Sequence, residues 1–237
     1  MINNTDQREK IIQKAIELGA DDAGVCLAAE LLEVSTHRKF SLPEGIKKQH
    51  AIIVIALNHP AGRLELDYFL KHEGFRFGNS EGNRLLKSIS DSLGQWLSKE
   101  GLVSRDLHYY VEMGGVFLKE AAVLAGLGFI GKNNLLIHPG YGARIRFRAH
   151  LVETPFTPST PLDFDPCREC EQPCLDVCPA KALDKEGYHH DTCLVYMDRQ
   201  AAESPLMPSG HNGHVLREVR SCRICEFACS YQGTLER

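Results

Sequence analysis

The sequence predicts an α+β protein in three stretches: a mixed helix-and-strand domain over residues 1–154, a proline-rich linker over 155–166, and a small cysteine-rich domain over 167–237. Three observations carry that division. Short apolar runs alternate with helix-period stretches up to about residue 150. Pro155, Pro158, Pro161 and Pro166 then crowd into one short segment, and eight of the nine cysteines lie between Cys167 and Cys229.

The opening "MINNTDQREKIIQKAIELGADD" has charges every few residues and no apolar stretch that would serve as a secretion signal. Asn4 or Thr5 caps a helix with Ile11, Ile12, Ala15, Ile16 and Leu18 on its apolar face, and Gly19 ends it. "AGVCLA" and "AIIVIALNH" are short, partly β-branched runs of the kind that form buried strands. Between Ser80 and Glu100, Leu85, Leu86, Ile89, Leu93, Trp96 and Leu97 recur at helical spacing, and Gly101 supplies the stop. "LHYYVEM" predicts a strand and "VFLKEAAVLAG" a helix. "NNLLIHPGYGARIRFRAHLVE" predicts two strands joined by a Pro-Gly turn. "GLGFIG", Gly126 to Gly131, has the spelling of a dinucleotide fingerprint but follows a helix instead of a strand. A glycine turn where the backbone approaches something closely is the better reading.

Prolines at the density of residues 155–166 cannot continue a helix or a central strand, so this stretch is an extended connector. Beyond it, large apolar residues are too few to fold a domain by burial alone, and a staple is needed. Elsewhere the composition is ordinary: 43% hydrophobic, 24% charged, net charge −4. No basic excess marks nucleic acid or an anionic membrane as a bulk partner. The longest apolar run, Ala51 to Leu57, is far too short to span a bilayer. The expected location is cytoplasmic, where thiols stay reduced, and this weakens a disulfide reading of the cysteines.

The cysteines read best as iron ligands. Two-cluster ferredoxins carry C-x2-C-x2-C-x3-C-P, the fourth cysteine serving the other cluster. Here "CRECEQPCLDVCP" has one extra residue between Cys170 and Cys174, and "CRICEFAC" ends in Cys229 followed by Ser230 where a second Cys-Pro would stand. A cubane's iron corners are close together, so one tight loop must supply three thiolates. The fourth, Cys178, is carried by a short helix starting near it toward the neighbouring cluster. Pseudo-symmetry assigns one 4Fe–4S cluster to Cys167, Cys170, Cys174 and Cys229, and the other to Cys178, Cys193, Cys222 and Cys225. The rival is a pair of four-thiolate zinc sites, but zinc modules favour well-separated C-x2-C pairs. Cys26, inside an apolar run, reads as a core thiol. Arg144, Arg146 and Arg148 share one strand face; they bind phosphate, form ion pairs with the acidic linker or make a solvated face, and the pattern leaves all three open. His189, His190, His211 and His214 read as loop residues near a cluster, because the cysteines already explain that region.

"EAAVLAGLGFIGKNNLLIHPGYG", followed by the proline linker and the eight cysteines in this order, resembles the epoxyqueuosine reductase family, whose relatives include the cobalamin-dependent reductive dehalogenases. The resemblance implies a nitroreductase-like front domain binding cobalamin with no protein ligand below cobalt. It also implies a ferredoxin-like domain whose two 4Fe–4S clusters pass on electrons from an external donor of flavodoxin or ferredoxin type. By position, the family's aspartate proton donor falls on Glu112, and Lys132, Asn133, Asn134 and Leu135 lie along the corrin edge. The family's helical-repeat tail, which grips tRNA, is not among the eight residues after Cys229, so the expected substrate is a small molecule or nucleotide and tRNA is not carried over. Two functions from different classes follow: a cobalamin-dependent reductase, or a two-cluster electron carrier docking on a partner enzyme without a corrin. A flavin in the front domain is the third possibility that the nitroreductase-like fold implies.

Overall fold

A computed structural model describes residues 4–34, 41–72, 79–207 and 216–235; His211 and His214 lie outside the described residues. Helix α1 spans Asn4–Glu17. Ile11 and Ala15 are fully buried in it, whereas Ile16 is 41% exposed, beyond the edge of the apolar stripe. Strand β1 (Asp22–Leu27), helix α2 (Ala28–Val34) and strand β2 (Ala51–Asn58) follow. Next come β3 (Tyr68–His72), β4 (Asn79–Ser80) and the long α3 (Glu81–Lys99). Ser80 caps α3, its Oγ accepting from the Asn83 amide at 3.2 Å.

After β5 (Ser104–Asp106) the chain does not continue as the strand expected from "LHYYVEM". Leu107 still donates to Ala149, but turn hydrogen bonds from Met113 and Gly115 to the Tyr110 carbonyl then replace the ladder. Residues Val111–Met113 form a 3₁₀ turn instead. Helix α4 (Leu118–Leu124), the short strands β6 (Phe129–Ile130) and β7 (Leu136–Ile137), and the long β8 (Ile145–Val152) complete the front part. The two strands expected to form a Pro-Gly hairpin do not pair with each other as strands. β7 pairs with β6, while β8 lies between β2 and β5, and one bridge from His138 to Gly142 closes the Pro-Gly turn. The reason is burial: seven of the eight residues of β8 are buried, and it finds neighbours along both edges at the centre of a sheet.

That sheet has the order β1-β2-β8-β5, with antiparallel pairs throughout. β2 explains its own sequence. Ile52, Val54 and Ala56 point into one core with Ala28, Leu31, Ala121 and Ala122 of α2 and α4. Ala51, Ile53 and Ile55 point into the other with Ile11, Leu86, Leu93 and Leu97 of α1 and α3. A strand covered by helices on both faces has no polar side, so its sequence shows a continuous apolar run. Cys26 is wholly buried in the first core, where burial holds its thiol far above the ordinary range.

The proline stretch is not a free tether. Val25 donates to Ser159 Oγ at 3.0 Å, Ser159 donates back to the Val25 carbonyl at 2.7 Å, and Phe156 is buried. The segment thus covers the edge of β1.

The cysteine-rich part contains α5 (Pro173–Asp176), α6 (His190–Glu203), β9 (Leu206–Met207), β10 (Leu216–Arg220) and α7 (Ile224–Phe227). The short helix in its first loop starts at Pro173, before Cys178 and not near it, because proline at the first helical turn fixes φ and Pro179 blocks continuation. β10 pairs with β3 over five residues, in a second sheet of order β4-β3-β10-β9. The last described residues pack on the Pro-Gly turn: Tyr231 Oη donates to the Pro139 carbonyl at 2.9 Å, and the Leu235 amide to that of Gly140 at 2.9 Å. Gly142 has φ +61, and a Cβ there would stand 2.7 Å from the Tyr231 carbonyl, so this contact needs glycine.

Candidate active site

A cavity of about 1030 Å³ opens where the first half of α3, the 108–120 segment, β8 and the stretch around α7 meet. That volume is at the upper end of what small-molecule and cofactor sites occupy. Glu112, on the 3₁₀ turn, lines it with Tyr109, Tyr110 and Phe117. Burial pushes the Tyr110 hydroxyl above its ordinary range, and Tyr109 and the Glu112 carboxylate add to the shift. Lys119 lines the same wall. Burial lowers its ammonium pKa against the opposing charge of Glu120, and its Nζ donates to the Asn134 carbonyl at 2.7 Å.

At the other end lies an ion lattice that no local sequence pattern announces. Asp67 stands 3.0 Å from His59 Nδ1, 3.0 Å from Arg146 Nη2 and 2.6 Å from Arg223 Nη1. Glu226, only 3% exposed, takes Arg146 Nη2 at 2.7 Å and Arg223 Nε at 3.1 Å. Burial would raise the Asp67 carboxyl, but the His59 hydrogen bond and the two arginines outweigh it and hold the group below the usual range. Arg148 is matched by Asp106, and Arg144 donates to Gln232. Arg146 and Arg148 are therefore met by acids within the fold and Arg144 by Gln232, and none of these contacts uses the linker.

The lattice matters because Arg223 and Glu226 alternate with cysteines. Cys222 and Cys225 form part of the wall of the large cavity. The thiols fall into two groups. Burial raises Cys174, and Cys229, Cys167 and Cys170 add to it; Cys229 answers to burial and to Cys167 and Cys170. Burial raises Cys222 with help from Cys193 and Cys178, and Cys225 is pushed up to about 12 by burial, Cys222, Cys178 and Cys193. A second, small cavity is lined by Cys167, Cys170, Cys174 and Cys229 together. Among the described residues no group of three or more His, Cys, Asp or Glu side chains is placed to hold a single metal ion. Backbone amides already point at sulfur, from Gln172 to Cys170 Sγ and from Ala182 to Cys178 Sγ, each at 3.3 Å. The first group shares a cavity and each group has an amide donor to sulfur, a donor set of the kind that takes an iron–sulfur cluster.

Of the four residues that the resemblance sets along a corrin edge, Leu135 lines the large cavity. Lys132 and Asn133 line the small one among the first thiols, and Asn133 Nδ2 donates to the Cys225 carbonyl at 3.3 Å. Asn134, with φ +57, turns the chain between β6 and β7. "GLGFIG" leads into this same hairpin: Gly128 has φ +152 and a Cβ there would be 2.2 Å from the Ile137 carbonyl, a close backbone approach. His189 and His190 pair with Asp184 and Asp191 at the surface.

Comparison with known proteins meets this geometry. No protein-family model matches the chain. It is 30% identical over 151 residues to the epoxyqueuosine reductase of Lactococcus garvieae, covering 62% of this chain and 40% of that protein. It is 25% identical over 232 residues to that of Synechocystis, covering 95% and 75%. The chain spans about half the length of the first curated relatives it matches. An epoxyqueuosine reductase solved with a modified tRNA-Tyr stem loop superposes with TM-score 0.63 at 18% identity, over 97% of this chain and 66% of that one. A reductive dehalogenase whose structure bears on B12-dependent dehalogenation superposes with TM-score 0.60 at 20% identity, over 81% and 29%. Among the described residues no helix is long and apolar enough to cross a membrane. By sequence the chain is a homologue of the epoxyqueuosine reductases, and it shares its mixed α/β fold with them and with the reductive dehalogenases.

Proposed function

We propose that the chain is a cytoplasmic iron–sulfur reductase with a nitroreductase-like front domain and a ferredoxin-like domain holding two 4Fe–4S clusters. One observation carries the reading: Cys222 and Cys225 of one thiol quartet stand in the wall of the same cavity that Glu112 lines. Cys167, Cys170, Cys174 and Cys229 hold the outer cluster, and Cys178, Cys193, Cys222 and Cys225 the inner one. The clusters supply one-electron transfer, and a corrinoid in the large cavity supplies a low-valent metal for reducing an organic substrate. The chain's own part is narrower. The Asp67–Arg146–Arg223–Glu226 lattice fixes the inner cysteines against the cavity floor, and Val116, Phe117 and Phe147 keep water from it. Glu112 presents a proton at the opposite wall. A small molecule or nucleotide fits the cavity, and an external redox protein supplies electrons. The relatives' names make tRNA a substrate to test, although its recognition by this chain has no residue assigned to it.

Anaerobic purification with iron, sulfide and zinc analysis, followed by cobalamin titration and desalting, tests this directly. Roughly eight iron and eight sulfide per chain are expected, with cobalamin retained by its visible spectrum. Two zinc and no acid-labile sulfide would overturn the cluster reading. Full clusters without cobalamin retention would leave an electron carrier serving a partner enzyme.

A further inference from the structure

The two departures from the ferredoxin cysteine spacing end at one sulfur. The extra residue between Cys170 and Cys174 lets Gln172 adopt a left-handed conformation, φ +61, and its amide donates to Cys170 Sγ at 3.3 Å. The residue after Cys229 is Ser230, and its Oγ lies 2.9 Å from the same Cys170 Sγ. Proline at that position would have neither hydroxyl nor amide hydrogen. A metal-bound thiolate carries no proton, so in the loaded protein the hydroxyl is the donor. Lys132 lines the same small cavity and adds positive charge.

Resting on the cluster reading above, we propose that Ser230 is a positioning residue that tunes the outer cluster: its hydroxyl donates to the Cys170 thiolate and raises the cluster's reduction potential. Reduction adds one electron to the cluster and makes its sulfurs more electron-rich. A donor at a ligand sulfur therefore stabilises the reduced form more than the oxidised one. The Gln172 donor is main chain and survives side-chain replacement, so Ser230 is the adjustable half of the pair. The inner quartet has its own amide donor, from Ala182 to Cys178, and is untouched by Ser230.

The test is a potentiometric titration followed by electron paramagnetic resonance on anaerobic wild type, Ser230→Ala and Ser230→Thr. In Ser230→Ala, iron and sulfide should stay at the wild-type level. One of two midpoint potentials should fall by about a tenfold change in the oxidised-to-reduced ratio, about 59 mV for one electron, while the other stays put. Ser230→Thr keeps the hydroxyl and should keep both potentials. Unchanged potentials in a fully loaded Ser230→Ala, or an equal fall in Ser230→Thr, overturn the proposal. If Ser230→Ala does not assemble the outer cluster, Ser230→Gly takes its place in the same titration: a fall of one potential supports the proposal, and unchanged potentials or failure to assemble overturn it. Wild type without iron and sulfide fails the cluster reading itself, a result separate from unchanged potentials in a loaded protein.

Discussion

Glu112 sits on a turn that ends with Gly114 at φ +90, next to Tyr110, whose hydroxyl titrates above its ordinary range through burial, Tyr109 and Glu112. In the proposed role of proton donor it would act through its carboxyl hydrogen, which glutamine lacks while keeping shape and hydrogen-bonding capacity. Glu112→Gln should keep iron content and cobalamin affinity while single-turnover reduction slows by roughly 10²–10⁴-fold. Equal rates in both proteins would remove Glu112 from the chemistry. A second single-residue prediction concerns stability. His150 is buried between Ser90 and Ser104, and burial pulls its pKa down to about 4 from 6.5. The unfolded chain therefore takes up this proton first. Stability from His150 is intact above pH 6.5 and is lost as pH falls toward 4, by about 3 kcal/mol in all. Thermal melts of wild type and His150→Gln across that window should show a shallower acid limb in the variant.

Helix α3 shows what an element contributes. Its stripe of Leu86, Ile89, Leu93 and Leu97 is buried against the central sheet, while Leu85 is 36% exposed. Leu93→Ala should cost about 2–5 kcal/mol, and Leu85→Ala far less; chemical denaturation of the two would measure the difference. The helices of the cysteine-rich part differ in kind. Of α6, Ala201 is the buried residue, and Val195 is 71% exposed. Apolar burial contributes little to such a helix, so on the proposed reading cluster binding would supply its folding energy. Cys174→Ala should lose one cluster and melt this part at lower temperature, whereas Cys26→Ala should leave iron unchanged because Cys26 lies in the front core.

At the scale of the whole molecule, the front and rear parts are stitched by β10 on β3, by the 231–235 segment on the Pro-Gly turn and by the buried ion lattice. Glu226→Ala leaves Arg146 and Arg223 with Asp67 as their shared acid and unmakes their bonds to Glu226, a change that should cost about 1–3 kcal/mol. It should also loosen the loop carrying Cys222 and Cys225. The expected result is a lower melting temperature and iron reduced to roughly half, from the inner quartet. Retention of full iron at an unchanged melting temperature would show that the lattice does not hold the inner site.

Local pattern sufficed for α1, α3, β1 and β2, because periodicity and capping report which side of an element is buried. The close spacing of Cys167, Cys170 and Cys174, and of Cys222, Cys225 and Cys229, marks candidate ligand loops, but which distant cysteine joins each loop is not written in local spacing. Local pattern misled where partners are distant. The "LHYYVEM" strand does not form because turn hydrogen bonds to Tyr110 replace the sheet, and β8 leaves its expected hairpin for β2 and β5. Asp67, Arg146 and Glu226 lie 79 and 80 residues apart as hydrogen-bonded partners, a separation across which no sequence period exists. Ser230 is the clearest case. Its place after Cys229 is visible as a departure from a motif, but the sulfur it meets belongs to a residue 60 positions earlier. Short-range order follows from steric and hydrogen-bonding rules written along the chain, while the pairing of distant charges and sulfurs is settled only when packing brings their elements together.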